Sequence, residues 1–403
     1  VRCAQPRPWW NGGLRVVGER DNPGVTLTER QLILAALDRQ LLLERQRIDV
    51  VEAVRRICAV QAQAPASPYL ALWNRVEGFV PEDLHAAFAD RRIVKATLMR
   101  NTLHAVHAED YAPFQAVMAP GLRASRVYDR RYTSTGLTEE DADGTLSRLA
   151  EFLAHPHTGT DVEREVTAHF GERARQVWWA LKTYAPLHHV PTGGPWSFRL
   201  PNTYRAAPAL AAGAAPDVAA GARRLLLAYL KAFGPASAQD FARFTLLGRP
   251  VITRALGDLG DQVVRVPGPG RAVLYDLPDA TVPDEDTPAP PRLLPMWDSI
   301  LLAHAVPGRV MSPEHRPLVV RRNGDILPTL LVDGQVAGVW RTIDGALELT
   351  AFRKLDKESW RGLTEEAERL AALLADRDPA PYGRYNHWWD KGIPGAETRI
   401  VKD

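Results

Sequence analysis

The apolar positions between Gly221 and Pro278 change period twice, and the changes outline a small fold. "GARRLLLAYLKAFG" carries leucines at helical spacing up to Gly234. Pro235 and Ser237 open a second helix, in which Ser237 is the N-cap and Asp240, three positions on, closes an acidic form of the capping box. A turn at Gly248 leads to a third helix, with Val251, Ile252, Ala255, Leu256 and Leu259 on one side. "VVRV", a Gly-Pro-Gly turn and "AVLYDL" then read as two strands of a hairpin. Three helices followed by a two-stranded ribbon describe a winged helix-turn-helix.

The same order recurs twice. From Leu137 to Pro201, "LTEEDADGTLSRLAEFLA", "DVEREVTAHFG" and "RARQVWWALKTYA" are helices, and "LHHV" with "WSFRLP" forms the ribbon. From Thr26 to Val106, helices at "LTERQLILAALDRQLLLE", "DVVEAVRRICAV" and "PEDLHAAFADRR" precede strands in "IVKATLMRNTLHAV". After the linker-like "PDEDTPAPPR" (Pro283 to Arg292), Asn323-Gly324, Asp333-Gly334 and Asp344-Gly345 mark successive hairpin turns of an antiparallel sheet. A closing helix over Leu363–Ala375 sets Leu370, Leu373 and Leu374 on one side. The expected fold is α+β and helix-rich: three tandem winged helix-turn-helix units at 26–118, 119–215 and 216–280, then a C-terminal antiparallel β region at 290–403. Residues 1–25, rich in Gly, Pro and Arg and without helix or strand period, read as a disordered leader.

At 403 residues, 45% of them apolar and 24% charged, the chain exceeds what one hydrophobic core organises. A formal net charge of only +2 leaves no bulk field to draw in a polyanion, so any nucleic-acid surface must arise from local segregation of charge. The cations are overwhelmingly Arg, whose planar fork suits phosphate, although a GC-rich genome produces the same bias. Two cysteines, Cys3 and Cys58, build no disulfide framework, and with no apolar signal core or spanning segment a reducing cytoplasm is expected.

Candidate chemistry lies in "CAVQAQAPASPYLALW" (Cys58 to Trp73), where Gln61 and Gln63 flank one alanine ahead of Pro65 and Pro68. In an extended segment, residues i and i+2 project to one face, so the two carboxamides aim at one point. Glutamine has no accessible pKa and cannot serve as a general base. Taken alone, the motif is an ordinary solvated loop.

Five blocks, however, resemble the tandem winged-helix DNA glycosylases of the AlkZ and YcaQ type: "VQAQAPASPYLALWNRV", "TLMRNTLHAV", "GPASAQDFARFTLLG", "LLPMWDSILLAH" and "LLVDGQVAGVW", in that order. The resemblance implies excision of bulky N7-alkylated guanines and unhooking of DNA interstrand crosslinks, with Gln61 and Gln63 as the catalytic pair. The YcaQ branch has a carboxylate at the second position, and the sequence departs from it at Gln63. The two-glutamine form is that of actinomycete self-resistance enzymes against azinomycin-like crosslinkers, and the likeness is close to that branch in particular. It further implies a monomer acting on double-stranded DNA without metal or cofactor. An alkylated N7 gives the purine a positive charge and makes it a good leaving group, which accounts for the missing acid. Because a base tethered to the opposite strand cannot swing into a closed pocket, an open cleft around Gln61 and Gln63 is expected.

Other residues divide between DNA contact and ordinary surface. If "TLMRNTLHAV" is one strand, Arg100, Thr102 and His104 share a polar face near the glutamines. Arg91, Arg92 and Lys95, then Arg123, Arg126, Arg130 and Arg131, and lastly Arg316, Arg321 and Arg322, are candidate phosphate contacts or solvated faces. His155, His157, His188 and His189 lack a partner spacing for metal, and Trp178-Trp179 and Trp388-Trp389 are core or stacking platforms. The rival class is a winged-helix transcriptional regulator, against which three units in one chain without a dimerisation helix argue.

Overall fold

Helix starts in this chain are written by side chains that accept from the first free N–H groups. Thr28, Thr138, Thr158 and Ser237 each form a full capping box, with Gln31, Asp141, Asp161 and Asp240 reaching back to the cap; each cap contributes about 1 kcal/mol. The computed structural model describes residues 14–17, 26–208, 217–305 and 309–402. Within the expected leader, β1 (Leu14–Val17) pairs antiparallel with residues 280–283; the rest of the leader lies outside the described residues.

The first unit contains α1 (Glu29–Arg39), α2 (Val50–Arg56), β2 (Val60–Gln61), α3 (Ser67–Trp73), α4 (Pro81–Ala89), β3 (Ile93–Thr97), β4 (Leu103–His107) and α5 (Ala108–Val127). The sequence pattern did not reveal α3. Pro68, ordinarily a helix breaker, falls in the first helical turn, where its missing N–H leaves no intrahelical bond unmade. The second unit runs α6 (Glu139–Phe152), β5 (His157–Thr158), α7 (Gly159–Phe170), α8 (Ala174–Tyr184), β6 (Leu187–Val190) and β7 (Thr203–Ala206). The ribbons of these two units join in one six-stranded sheet, ordered β2-β4-β3-β6-β7-β5, through the pairing of Lys95 with His189.

The third unit is α9 (Val218–Phe233), α10 (Ala238–Thr245), α11 (Arg249–Leu259) and the antiparallel pair β8 (Val264–Pro267) and β9 (Val273–Asp276). Gly221 lets α9 lie directly on α5: a Cβ at this position would stand 2.4 Å from the Pro113 carbonyl oxygen. Beyond β10 (Ala280–Pro283), the C-terminal region comprises β11 (Arg292–Leu294), α12 (Arg316–Val319), β12 (Thr329–Val332), β13 (Gln335–Ile343), β14 (Ala346–Ala351), α13 (Lys357–Ala375), α14 (His387–Asp390) and β15 (Glu397–Val401). Its five strands follow one another in sequence order, all antiparallel. Asp333-Gly334 and Asp344-Gly345 form the turns on either side of β13, both residues of each at positive φ. Asn323-Gly324 makes a tight turn flanked by the single bridge Val320–Ile326, a smaller feature than the expected hairpin.

The cores cross the boundaries of the sequence units. One gathers Leu37, Val54, Tyr69 and Leu84 of the first unit with Leu330, Trp340, Trp360 and Leu370 of the C-terminal region. The other gathers Val94 and Val106 of the first ribbon with Phe114, Trp178, Tyr229, Phe241 and Phe244. Two interior ion pairs tie distant segments together, Arg39 to Asp276 and Arg75 to Asp298. The glutamine motif lies between the two cores, with Val60 in the first and Cys58 and Ala59 in the second.

Candidate active site

Strand β2 is an edge strand, and that places Gln61 opposite His104 of β4. The next two residues continue along β4: the Ala62 N–H donates to the Leu103 carbonyl at 2.7 Å, and the Leu103 N–H donates to Gln63 Oε1 at 3.4 Å. Gln61 Oε1 accepts from Arg100 Nη2 at 3.3 Å. Both amide oxygens therefore face the turn and outgoing strand of the β3–β4 hairpin, in keeping with the i, i+2 spacing. Their exposure differs: Gln63 reaches solvent, whereas Gln61 is 2% exposed. The cleft expected to open around both glutamines is thus open at Gln63 and covered at Gln61.

Arg100 supplies part of the cover. "TLMRNTLHAV" is two strands joined by a turn, which overturns the reading of one polar face for Arg100, Thr102 and His104. The turn needs left-handed backbone at Arg100 (φ 53°) and Asn101 (φ 58°). Arg100 is held from the other side by the third unit: its Nη1 donates to the Phe244 carbonyl at 2.7 Å, and the guanidinium lies 5.2 Å from the Phe244 ring centroid. Burial, then the charge of Arg243, lowers its pKa to about 10, so the group stays cationic at neutral pH. Thr102 Oγ1 donates to Met99 O at 3.1 Å and closes the turn.

His104 lies in the interior, at 0% exposure, and is no phosphate contact. Its Nδ1 lies 3.0 Å from the Thr102 carbonyl, which makes Nδ1 the protonated nitrogen, and Nε2 has no hydrogen-bond partner. Burial and the nearby Arg100 hold its pKa down at about 3, so the ring is neutral. Lys95 is likewise interior, 3% exposed with its ammonium 4.2 Å from the Phe198 ring centroid. Burial of both side chains, on β3 and β4, keeps them from a DNA phosphate. Chemically, the motif presents two amide oxygens, a guanidinium and a neutral imidazole. Neither glutamine is hydrogen-bonded to a carboxylate among the described residues, and such a set can orient water but offers no general base near neutrality.

The remaining candidates separate by partner. Arg91, Arg92, Arg130 and Arg322 are exposed, and Arg92 has only a loose contact with Asp90 at 3.8 Å. Arg123 is held by Glu139 and Asp143, and Arg131 by Asp129, which offsets their charge. Arg126 and Arg131 cover the Trp179 ring, and Arg126 donates to Thr183, while Trp178 is core. Arg321 lies over Trp388, which donates to Asp325. Arg316 faces a cavity beside α10, together with Gln239 and Arg243, two residues the sequence reading missed. Their signal was present: one turn apart, they occupy the side of α10 away from Phe241 and Phe244. His157 stacks on Phe152, and among the described residues no three His, Cys, Asp or Glu stand together as a metal-ligand set.

The family profile described as DNA glycosylase AlkZ-like matches residues 54–373, a stretch that holds all five sequence blocks and both glutamines, and the chain belongs to that family. Among its relatives is the interstrand DNA cross-link repair glycosylase of Streptomyces sahachiroi, 29% identical over 362 residues that cover 85% of this chain and 95% of the relative. The solved structure of the S. sahachiroi DNA glycosylase AlkZ superimposes with a TM-score of 0.74 at 26% identity, covering 88% of this chain and 98% of that one. At 29% identity the chain is a relative of the S. sahachiroi enzyme, and identity with that enzyme is not shown.

Proposed function

We propose that the chain is a monofunctional, metal-independent glycosylase that hydrolyses the N-glycosidic bond of bulky N7-alkylated guanines and unhooks interstrand crosslinks, as repair of or self-resistance to an azinomycin-like alkylating agent. The observation that carries this reading is the convergence of the Gln61 and Gln63 oxygens on one hairpin, with no carboxylate or imidazole hydrogen-bonded to either among the described residues. The printed function of the S. sahachiroi relative, interstrand cross-link repair, points the same way.

In this mechanism the bond between C1′ and N9 breaks first, and its electron pair neutralises the cationic purine. Water then adds to the sugar cation and loses a proton to solvent, leaving an abasic site and free alkylguanine. Gln63 meets the lesion at the surface. Gln61 accepts one hydrogen bond from Arg100 and keeps its second lone pair for a hydrogen of the attacking water. Both amide dipoles present their negative ends to the charge developing on the sugar, an effect of about 3 kcal/mol for each well-placed group.

The test is incubation of the purified protein with duplex carrying an N7-alkylguanine or a guanine–guanine crosslink, followed by a search for abasic sites and separated strands. Strand separation with abasic products is expected from the wild type, and loss of both from Gln61→Ala and Gln63→Ala while undamaged duplex is still bound. Bound but uncleaved damaged duplex in the wild type would point instead to the regulator class.

A further inference from the structure

A cavity of about 450 Å³ has walls from α10, the segment at His304 and Ala305, and α12. Two guanidiniums face it: Arg243, exposed on α10, and Arg316, half-buried on α12. Among the described residues, neither is hydrogen-bonded to or ion-paired with a carboxylate. Elsewhere in this protein, Arg39, Arg45 and Arg75 each engage a carboxylate through two hydrogen bonds. Arg243 and Arg316 repel each other closely enough that, after burial, Arg243 is what lowers the pKa of Arg316. A concave surface lined by positive charge focuses the field and concentrates anions there.

Gln239, one turn before Arg243 on the same side of α10, adds a neutral amide donor to the cavity wall. His304 adds no charge. Its Nε2 donates to the Phe233 carbonyl at 3.1 Å, and burial holds its pKa at about 3. One wall of the cavity is linked to the candidate active site through Arg100: it touches Gln61, it donates to the carbonyl of Phe244, the residue next to Arg243, and after burial it is the charge of Arg243 that lowers its pKa.

We propose that this cavity is a phosphodiester subsite, in which Arg243 and Arg316 clamp a backbone phosphate of the DNA strand next to the nucleotide presented to Gln63. Two forks and an amide donor match the three-dimensional array of phosphate oxygens. The clamp carries no sequence information and fixes the register of the backbone against the glutamines. The proposal rests on the glycosylase reading for its geometry, but its test does not need excision.

The experiment uses the full chain and a short undamaged duplex, with binding followed by fluorescence anisotropy over a series of salt concentrations, for the wild type, Arg243→Gln, Arg316→Gln and Arg243→Lys. At about 150 mM salt each Gln variant is expected to bind about fivefold or more weakly, with a slope of log K against log salt shallower by about one. Arg243→Lys keeps the charge and the slope but loses affinity, because the fork is gone. Unchanged affinity and slope in both Gln variants overturn the proposal. So does inorganic phosphate binding at millimolar strength that Arg243→Gln abolishes while duplex binding is untouched, since the site would then serve a free anion. Thermal melts check that the variants fold; if Arg316→Gln does not, Arg243→Gln at its exposed helical position decides the matter. Weakened duplex binding by the variants, together with a wild type that excises nothing, refutes the glycosylase reading and leaves the subsite standing.

Discussion

Arg100 and Gln61, 39 residues apart in the chain, meet through one hydrogen bond of 3.3 Å from a guanidinium that a second bond of 2.7 Å ties to the Phe244 carbonyl. The third unit thereby reaches the glutamine motif of the first through the side chain of Arg100. A hydrogen bond from a charged donor is worth about 1.5–3 kcal/mol, and here it orients the carboxamide.

Arg100→Ala should lower the single-turnover excision rate by about ten- to a hundredfold, with duplex affinity changed by less than about threefold. The two are read from abasic-site formation under saturating enzyme and from anisotropy. A variant that binds much more weakly and excises at the wild-type rate once saturated would make Arg100 a phosphate contact and remove it as the positioner of Gln61.

The Arg75–Asp298 pair is among the most deeply enclosed in the chain, 1% and 0% exposed in its side chains, and Arg75 also reaches Gln40. Asp298→Ala leaves a buried guanidinium uncompensated and should cost about 3–5 kcal/mol in urea unfolding. Replacing both partners together, as Arg75→Met with Asp298→Leu, should recover most of that loss. A cost below about 1 kcal/mol for Asp298→Ala would show that the segment at Asp298 is not held by this pair.

Acid should destabilise the fold well before carboxylates titrate. Burial lowers the pKa of His104 and His304 to about 3 and of His188 to about 4, and lowers His189 as well. Below about pH 6.5 the unfolded chain takes up protons that these folded imidazoles refuse, so stability rises with pH across this window and is lost as pH falls. Lys95, lowered to about 7 by burial, continues the rise on the alkaline side, because the unfolded lysine stays protonated to about 10.4. Urea midpoints should fall between pH 7.5 and pH 5.0, and His104→Gln should flatten the dependence by about a quarter if the four imidazoles contribute equally. Equal midpoints at the two pH values would mean that these histidines are not held neutral.

Helix starts and turns were legible in the sequence because they are local. Ser237 with Asp240 and the pairs Asp333-Gly334 and Asp344-Gly345 specify their geometry within a few residues, and the structure has each where the pattern put it. What was not legible depends on distant partners. Nothing adjacent to Lys95 announces that its strand is flanked on both sides, since β6 lies some ninety positions further along the chain and pairs through Lys95 and His189, and β4, which carries His104, is flanked by β3 and by the distant β2. The left-handed backbone at Arg100 and Asn101 has no glycine to signal it, so a turn was read as continuous strand. The two glutamines were found by spacing and resemblance, but their unequal exposure depends on a distant contact, Arg100 held by the Phe244 carbonyl and lying against Gln61 alone.

The claim at the centre of the account is that two neutral amides suffice for a leaving group that carries its own positive charge. Single-turnover excision of one N7-alkylguanine duplex, followed from pH 6.5 to 8.5 in the wild type, Gln61→Ala and Gln63→Ala, tests it most directly. The account predicts a wild-type rate with no inflection from an acid or base at the motif, and a drop of about a hundredfold in each variant. Excision at the wild-type rate by both variants, or a steep titration of the wild-type rate that neither variant shares, would contradict it.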